Sequence, residues 1–237
     1  MSILSVPYCG EAPLPQDLAA RWNFDPLPIA LVLAALFAAR LLGARAVPLL
    51  AGGAVILVLF VSPLCALSSS LFSVRVAHHL TLTAVAAPLL AAALPGRGGG
   101  LALWTAVHAL VFWGWHAPPA YAFALASDAA YWTMQASLLA SALMLWRAIG
   151  HAPLPSAVAA LLATMVQMGL LGALLTFSAT PLYAWHAATT QAWGFSPLED
   201  QQLAGLVMWV PGAGLYLAAA LRCASRWLGA RERPLAA

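Results

Sequence analysis

Histidines near the ends of two apolar segments are the first candidates for chemistry in this sequence. His78 and His79 lie about one helical turn into one segment, and His116 closes the next. Histidine is rare in membrane helices and usually faces the interior of a bundle. Adjacent residues on a helix point about 100° apart, so His78 and His79 cannot share one small site without distortion. We expect a functional role for at least one of His79 and His116, and a hydrogen bond between helices for one of the adjacent pair.

Soft and polar side chains occur at a similar depth in two later segments. Met134 and Gln135 follow the start of the fifth segment, and Asp200 and Gln201 open the seventh. Imidazole, thioether and carboxamide groups suit copper, and histidine with methionine favours the reduced ion. This combination predicts a copper site near one membrane surface. The candidate metal ligands are His79, His116, His78, Met134, Asp200, Gln201 and Met208.

Other candidates have simpler structural interpretations. His108 lies on roughly the same helical face as His116 and is expected to bond across helices. His151 is expected to be solvated in a loop, and Met168 to fill a gap in the core. Arg75 is expected at the external edge, where it would snorkel to the interface or bind an anionic lipid or a carboxylate of a partner.

The last segment offers a face of mostly small residues. Gln201, Gly205, Met208 and Gly212 share one face at helical spacing, which predicts close packing against a neighbour. The polar start of the segment and Met208 could instead line an entrance. Pro211 should loosen or kink the helix near its middle.

The elements that position these residues must be membrane helices. Hydrophobic residues make up 63% of the chain and charged residues 7%, against about 25% charged in an ordinary soluble domain. Such a chain has too few polar side chains to cover a surface in water, so its surroundings are a lipid bilayer. The ten basic residues are all arginines and form no continuous stripe, which argues against nucleic acid as a partner.

Seven segments are predicted to cross the membrane. A helix that crosses roughly 30 Å of hydrocarbon needs about twenty mainly apolar residues. The segments are residues 27–42, 47–67, 74–94, 101–116, 129–149, 156–178 and 201–223. They predict an all-α, polytopic membrane helix bundle. It comprises an external tail (1–26), a seven-helix domain (27–224) and a cytoplasmic tail (225–237).

The arginine distribution predicts the orientation. With the N-terminus outside and the C-terminus inside, eight of the ten arginines are cytoplasmic, as the positive-inside rule expects. These eight are Arg40, Arg45, Arg97, Arg147, Arg222, Arg226, Arg231 and Arg233. Only Arg21 and Arg75 then lie outside, and the candidate ligands lie near the external face.

The external segments hold two further features. Residues 1–25 lack a basic region followed by an apolar core, so they predict a retained tail rather than a cleaved signal peptide. A disulfide between Cys9 in this tail and Cys65 in the second span is conceivable in an oxidising compartment, but the sequence does not set their distance. His186, in a long loop, could fold over the other histidines.

Four motifs in the chain resemble one family. DQQLAGLVMWVPG begins at Asp200, LFSVRVAHHLTLTAVAAPLL covers 71–90, FWGWHAPPAYAFAL covers 112–125, and TPLYAWH covers 180–186. They resemble motifs of the CtaG family of cytochrome c oxidase assembly proteins, over roughly residues 50–220. The resemblance implies a bacterial inner-membrane protein that serves haem-copper terminal oxidases, with a suspected role in copper delivery. By resemblance, His79 and His116 are motif histidines, and residues 200–202 are the polar start of the last span.

The chain departs from the family pattern at two places. Many members carry a histidine and a methionine where this chain has Arg75 and Val76. Members often carry two histidines, four residues apart, where it has Tyr131 and Gln135. A metal cage of many histidines is weakened by these differences.

Three functions remain open at this point. No nucleophile with a base, phosphate loop or nucleotide fingerprint occurs, so we expect an assembly factor and not an enzyme. The first hypothesis is an oxidase assembly factor that holds copper at the periplasmic face, with oxidase subunits or a periplasmic copper chaperone as partners. The second is a copper transporter with a path past Met208 and Met168. The third is a haem-binding membrane electron carrier.

Overall fold

The computed structural model describes residues 6–96 and 98–231, and these form helices without a β-strand. The predicted all-α class is therefore confirmed. The helices are α1 (Pro26–Leu41), α2 (Ala46–Val61), α3 (Leu64–Ser70), α4 (Phe72–Thr81), α5 (Ala87–Ala93), α6 (Leu101–His116), α7 (Pro118–Ala126), α8 (Asp128–His151), α9 (Leu154–Thr176), α10 (Pro197–Val207) and α11 (Ala213–Arg231).

Two pairs of these helices are continuous through π-helical segments. The segment Leu82–Ala86 joins α4 to α5, and Met208–Gly212 joins α10 to α11. Pro211 lies inside the second segment, where its missing N–H and its ring loosen the helix as predicted. In the first segment, Trp146 Nε1 donates to the carbonyl of Thr83 at 2.9 Å. Such π-helical turns occur frequently at functional sites.

Three helices are long and apolar enough to cross a membrane, within the residues described. They are Phe72–Ala93, Leu154–Thr176 and Pro197–Gly229. The pair α2 and α3, which bends by 50° at its break, raises the number to four if it counts as one span. The predicted span 47–67 is therefore not one straight helix, because Pro63 stands at the bend.

The other predicted spans are shorter or more polar. α1 and α6 have 16 residues each, about 24 Å of helix and short of a 30 Å hydrocarbon core. α8 is longer, at 24 residues, but carries more polar side chains. The count of seven spans and the orientation stay predictions. The chain breaks between α6 and α7 at Ala117, and Pro118 begins α7, where proline suits the first helical position.

The helices pack around a core that α8 and α9 share with α4 and α10. α9 contacts α6, α10 and α11, while α8 contacts α5, α6 and α7. α4 packs against α10, and α1 against α2. The core includes Leu138 and Leu145 of α8 and Leu161 of α9, all fully buried.

Glycines allow α10 to approach α9 closely, which confirms the predicted packing face. A Cβ atom at Gly172 would lie 2.8 Å from the carbonyl oxygen of Gly205. A Cβ atom at Gly212 would lie 2.8 Å from the methyl carbon of Met168. Gln201 and Met208, on the same face, are buried. The face is a packing seam between the helices.

The N-terminal segment is attached to the helices by a disulfide between Cys9 and Cys65. Tyr8 stacks on Tyr131 of α8 with ring centroids 5.1 Å apart, and Cys9 Sγ lies 3.4 Å from the Tyr131 hydroxyl. The segment thereby covers the start of α8.

α11 continues to Arg231, beyond residue 224, and the predicted domain boundaries stay predictions. Of the arginines used for orientation, Arg97 and Arg233 and the side chain of Arg231 lie outside the described residues, as does Glu232.

Candidate functional site

The start of α4 determines where His78 and His79 lie. Asp200 of α10 bonds to the first residues of this helix and fixes its start. Its carboxylate accepts hydrogen bonds from the backbone N–H groups of Phe72 and Ser73, at 2.6 and 3.1 Å, and from the Ser73 hydroxyl at 2.5 Å. A carboxylate at a helix N-terminus satisfies free N–H groups and the helix dipole. Asp200 therefore serves the packing of α10 on α4, and both of its oxygens are used.

His79 of α4 and His116 of α6 meet in the interior. Their ring centroids lie 5.7 Å apart with the ring planes nearly perpendicular, at 89°. At this separation the two imidazoles could share one ion. Both side chains are buried, at 1% and 3% exposure.

Each ring of the pair has one nitrogen bonded and one without a partner. His79 Nε2 lies 3.2 Å from Nε2 of Gln135, and His116 Nδ1 lies 2.7 Å from the carbonyl oxygen of Phe112. Nδ1 of His79, Nε2 of His116 and Oε1 of Gln135 find no hydrogen-bond partner among the described residues. Buried polar atoms are almost always paired in proteins, so this group has the composition of a ligand-binding site.

His78 belongs to a different environment. Its Nε2 lies 3.2 Å from the carbonyl oxygen of Leu59 in α2, and its ring packs edge-on against Phe60 at 4.9 Å. The ring centroids of His78 and His79 are 6.0 Å apart. His78 thus makes the interhelical hydrogen bond that was expected for one of these two residues.

The separation of the two rings is compatible with two imidazoles that bind one ion. A metal to nitrogen bond of about 2 Å places the ring centres of two histidines on one ion up to roughly 6 Å apart. No cluster of three or more histidine, cysteine or acidic side chains suited to a metal occurs in the described part of the chain. Met134, the predicted soft ligand, is buried on α8, but adjacent helical residues point about 100° apart, so its place next to Gln135 in the sequence does not direct it to the pair.

The remaining predicted ligands have structural contacts. Gln201 accepts from the N–H of Leu182 at 2.6 Å and donates to the carbonyls of Leu175 and Thr180. It holds the chain that follows α9, so its amide is bonded to backbone groups and not to the histidines. Met208 is buried in the π-helical segment that joins α10 to α11.

Arg75 is buried among the helices, and the expectation that its side chain snorkels to the membrane interface is wrong. The side chain is 0% exposed. Its Nη1 donates to the Tyr131 hydroxyl at 3.3 Å, and its guanidinium lies 5.3 Å from the Tyr131 ring centre. Nε and Nη2 have no partner within the described chain. Arg75 and His79 are one turn apart on α4, facing Tyr131 and Gln135, one turn apart on α8.

The loop before α10 folds over this region, as expected for His186. The Tyr183 hydroxyl donates to the carbonyl of His116 at 2.6 Å, and Tyr121 Oη lies 2.7 Å from Nε2 of His186. Burial, with the positive charge of Arg75 nearby, lowers the pKa of His186 to about 3. His186 is therefore neutral, and it contributes no charge to the site.

Sequence reasoning missed the roles of Tyr121 and Tyr183. Tyr121 lies in α7, between two of the predicted spans, and neither it nor Tyr183 was among the candidate ligands. Both are buried and both contact Phe72 at the start of α4, with ring centroids 5.3 and 3.8 Å away. Both tyrosines lie in the motifs that contain His116 and His186, and this is the sequence feature that could have identified them.

Gln135 connects the histidine pair to an apolar cavity of about 470 Å³ between α1, α2, α5 and α8. Gln135 is a polar residue of its lining, and Trp132 borders it on the same helix. Neither His79 nor His116 lines this cavity. The histidine pair is therefore enclosed by helices, and the Gln135 amide beside it borders the cavity.

The two other histidines behave as predicted. His108 Nδ1 lies 3.0 Å from the Ser141 hydroxyl of α8, which is an interhelical hydrogen bond. His151 is exposed at the end of α8, with Nδ1 2.8 Å from the carbonyl of Arg147. Neither takes part in the histidine pair.

Comparison with known proteins gives one match. The model of the family described as cytochrome c oxidase caa3 assembly factor (Caa3_CtaG) matches residues 100–230, more than half of the chain. No curated protein and no solved structure matches it. The matched region contains His116, Gln135, the loop with Tyr183 and His186, and the whole of α10. The chain belongs to the family of cytochrome c oxidase caa3 assembly factors.

Proposed function

We propose that this protein assists cytochrome c oxidase assembly, as a non-catalytic factor, by holding a copper ion between His79 and His116. The observation that carries the proposal is the buried pair with ring centroids 5.7 Å apart and one unpartnered nitrogen on each ring. Copper is the cargo, and the two imidazoles bind it. Gln135 orients His79 through its amide, as groups next to metal ligands commonly do.

The chain's own residues also keep this pair out of water. Tyr183 bonds the backbone at His116, and Asp200 holds the start of α4 below the loop. Release of copper then requires displacement of the covering loop by the receiving protein. Oxidase subunits or a periplasmic copper chaperone are the proposed partners.

We place the histidine pair at the periplasmic face of a bacterial inner membrane, in a seven-span, N-out and C-in topology. Two observations support this. The disulfide between Cys9 and Cys65 lies at the same end as the pair and suits an oxidising compartment. Arg45, Arg147 and Arg222 lie together at the other end of the helices, as the positive-inside rule expects of the cytoplasmic face.

Removal of either histidine should weaken copper binding. His79→Ala and His116→Ala, purified from cells grown in copper-supplemented medium, should hold copper at least roughly tenfold more weakly than the unchanged protein. Elemental analysis gives the copper content per chain. Both variants should also lower terminal oxidase activity in cells at limiting copper, and added copper should partly restore it, because mass action refills a weakened site.

His151→Ala is the matched control, since this histidine is exposed and lies at the other end of α8. It should retain copper and support normal oxidase activity. Normal copper content and normal oxidase activity in both pair variants, at protein levels matched by immunoblot, would contradict the proposal.

A copper transporter remains a second candidate, because Met168 and Met208 are both buried along the seam between α9 and the last two helices. Sealed vesicles that contain the purified protein distinguish the two functions. A transporter accumulates copper in the lumen, whereas a holding protein binds about one ion per chain. An intense Soret band in the purified protein would indicate the haem-binding carrier instead.

A further inference from the structure

Basic residues from separate parts of the chain surround one cavity at the end of the bundle away from the histidine pair. The cavity has a volume of about 880 Å³ and is bordered by the residues after α1, the end of α5, the end of α8 and the middle of α11. Phe72–Ala93 is one helix of 22 residues, so its end at this cavity and its start near the pair lie about 33 Å apart. The basic side chains of the lining are Arg45, Arg147, His151, Arg222 and Arg226.

The charge of this cavity is not balanced by its own lining. The lining contains no aspartate or glutamate in the part of the chain that the structure describes. The described acidic residues near helices, such as Asp25, Asp128 and Asp200, lie at helix starts on the opposite side of the bundle. Four guanidinium groups with low-dielectric helices around them concentrate a positive potential in the cavity.

Two of the arginines are held rigidly at the cavity wall. Arg45 donates from Nε and Nη2 to the carbonyl of Ala92, and Arg147 donates to the carbonyls of Leu94 and Pro95. These contacts satisfy carbonyl groups at the end of α5 and in the two residues that follow this helix. The guanidinium groups are thereby positioned before any ligand arrives, and each retains further N–H donors.

The other two arginines are available for a ligand. Arg222 and Arg226 lie one turn apart on α11, and both are exposed. Their guanidinium groups make no hydrogen bond or ion pair with the residues that the structure describes. Arginine binds phosphate oxygens through two parallel N–H donors, and several arginines around one cavity favour a phosphate group over a weaker anion.

The other walls of the cavity indicate where the phosphate comes from. Pro88, Ala91 and Leu94 of the α5 region and Trp146 of α8 border the same space. An apolar wall next to a basic rim matches a lipid with its acyl chains along the helices and its head group at the arginines. We propose that this cavity binds the phosphate of an anionic phospholipid. The inference does not depend on copper binding at the other end of the protein.

The test is a lipid titration of the purified full chain, followed by native mass spectrometry. Phosphatidylglycerol and cardiolipin should bind the unchanged protein, and phosphatidylcholine should bind far more weakly. Arg222→Gln with Arg226→Gln should lower the affinity for the anionic lipids by about 30-fold, since each basic residue near a membrane surface contributes about fivefold. Both residues are exposed, so the double variant should fold.

Arg21→Gln, which changes an arginine near the N-terminus, is the matched control and should bind anionic lipid as before. Equal binding of anionic and neutral lipid, or an unchanged affinity in the double variant, would overturn the proposal. A parallel titration with inorganic phosphate distinguishes a cavity that binds a lipid phosphate from one that binds a soluble phosphate compound. Arginine-dependent binding of inorganic phosphate without binding of anionic lipid would assign the cavity to a soluble phosphate compound and overturn the lipid proposal. Copper content is measured on the same samples and should not change in the double variant.

Discussion

At the scale of single residues, Arg75 is the feature of the site that most affects its chemistry. A buried guanidinium stays charged, because arginine does not lose its proton in proteins. No acidic side chain forms an ion pair with it among the described residues, and it donates a hydrogen bond to the Tyr131 hydroxyl. Its charge therefore acts on its neighbour His79, one turn further along α4. A cation bound at the histidine pair would be repelled by it.

Arg75→Gln should increase the affinity of the histidine pair for copper. Two unit charges about 7 Å apart repel by about 2 kcal/mol at an effective dielectric constant near 20, which is about 30-fold in affinity. Competition with a copper(I) chelator on purified protein measures the change. Arg75→Lys keeps the charge and should leave the affinity close to that of the unchanged protein. Weaker copper binding in Arg75→Gln would show that Arg75 orients the site instead.

His186 should make stability depend on pH. Its folded-state pKa is lowered to about 3 by burial and by Arg75, against about 6.5 in an unfolded chain. Between these values the unfolded chain binds the additional proton, so the folded state loses stability as the pH falls from 6.5 towards 3. The melting temperature of His186→Gln, measured between pH 7 and 4, should fall less steeply than that of the unchanged protein. Parallel curves for the two proteins would contradict this.

At the scale of helices, the seam between α9 and α10 determines how close the motif helices come. Gly172 and Gly205 face one another, and neither has room for a methyl group. Asp200 on the same helix then reaches the start of α4, and Gln201 reaches the chain after α9. The small residues of the last motif let α10 pack closely on α9, and this close packing brings Asp200 to α4 and Gln201 to the chain after α9.

Gly172→Ala should destabilise the protein by about 1–3 kcal/mol, because the added methyl group overpacks the seam against the backbone of α10. Gly214→Ala in α11 is the matched control. It has no atom within 4 Å of the added Cβ, so it should be neutral or stabilising by up to about 1 kcal/mol, since alanine favours helix over glycine. Thermal unfolding in detergent measures both. Equal melting temperatures for the two variants would show that the seam tolerates the methyl group.

At the scale of the whole molecule, the two ends of the bundle differ in chemistry. One end carries the disulfide, the covering loop and the histidine pair. The other end carries the arginine-lined cavity. This polarity agrees with an oxidising compartment on the first side and the cytoplasm on the second.

The proposed topology can be tested with reporter fusions. A reporter that is active only in the periplasm should be active when fused after Ser127 or Gln191, because both residues lie at the end of the bundle that holds the disulfide. The same reporter should be silent after Gly99 or Gly150, next to the arginine-lined cavity. The reverse pattern of activity would overturn the orientation, and the positive-inside argument with it.

The sequence by itself determined the class of the protein and the residues worth examining. Its apolar composition required helices, since lipid leaves no other partner for backbone groups in continuous apolar runs. Helical spacing indicated the packing face around Gly205 and placed His79 and His116 at similar depth. Motifs identified the family that the comparison confirmed. These properties depend on local periodicity and composition, which can be read directly from the order of residues.

The tertiary structure alone decided the partners of each polar group. Asp200 and Gln201 resemble ligands in sequence, but they bind backbone groups of helices and loops far along the chain. Arg75 resembles an interfacial arginine, but it is fully buried and donates to Tyr131 of α8. The physical reason is that a hydrogen-bonding group binds whatever donor or acceptor the packing of distant helices brings near it. Which donors and acceptors those are depends on crossing angles and close approaches that no single segment encodes.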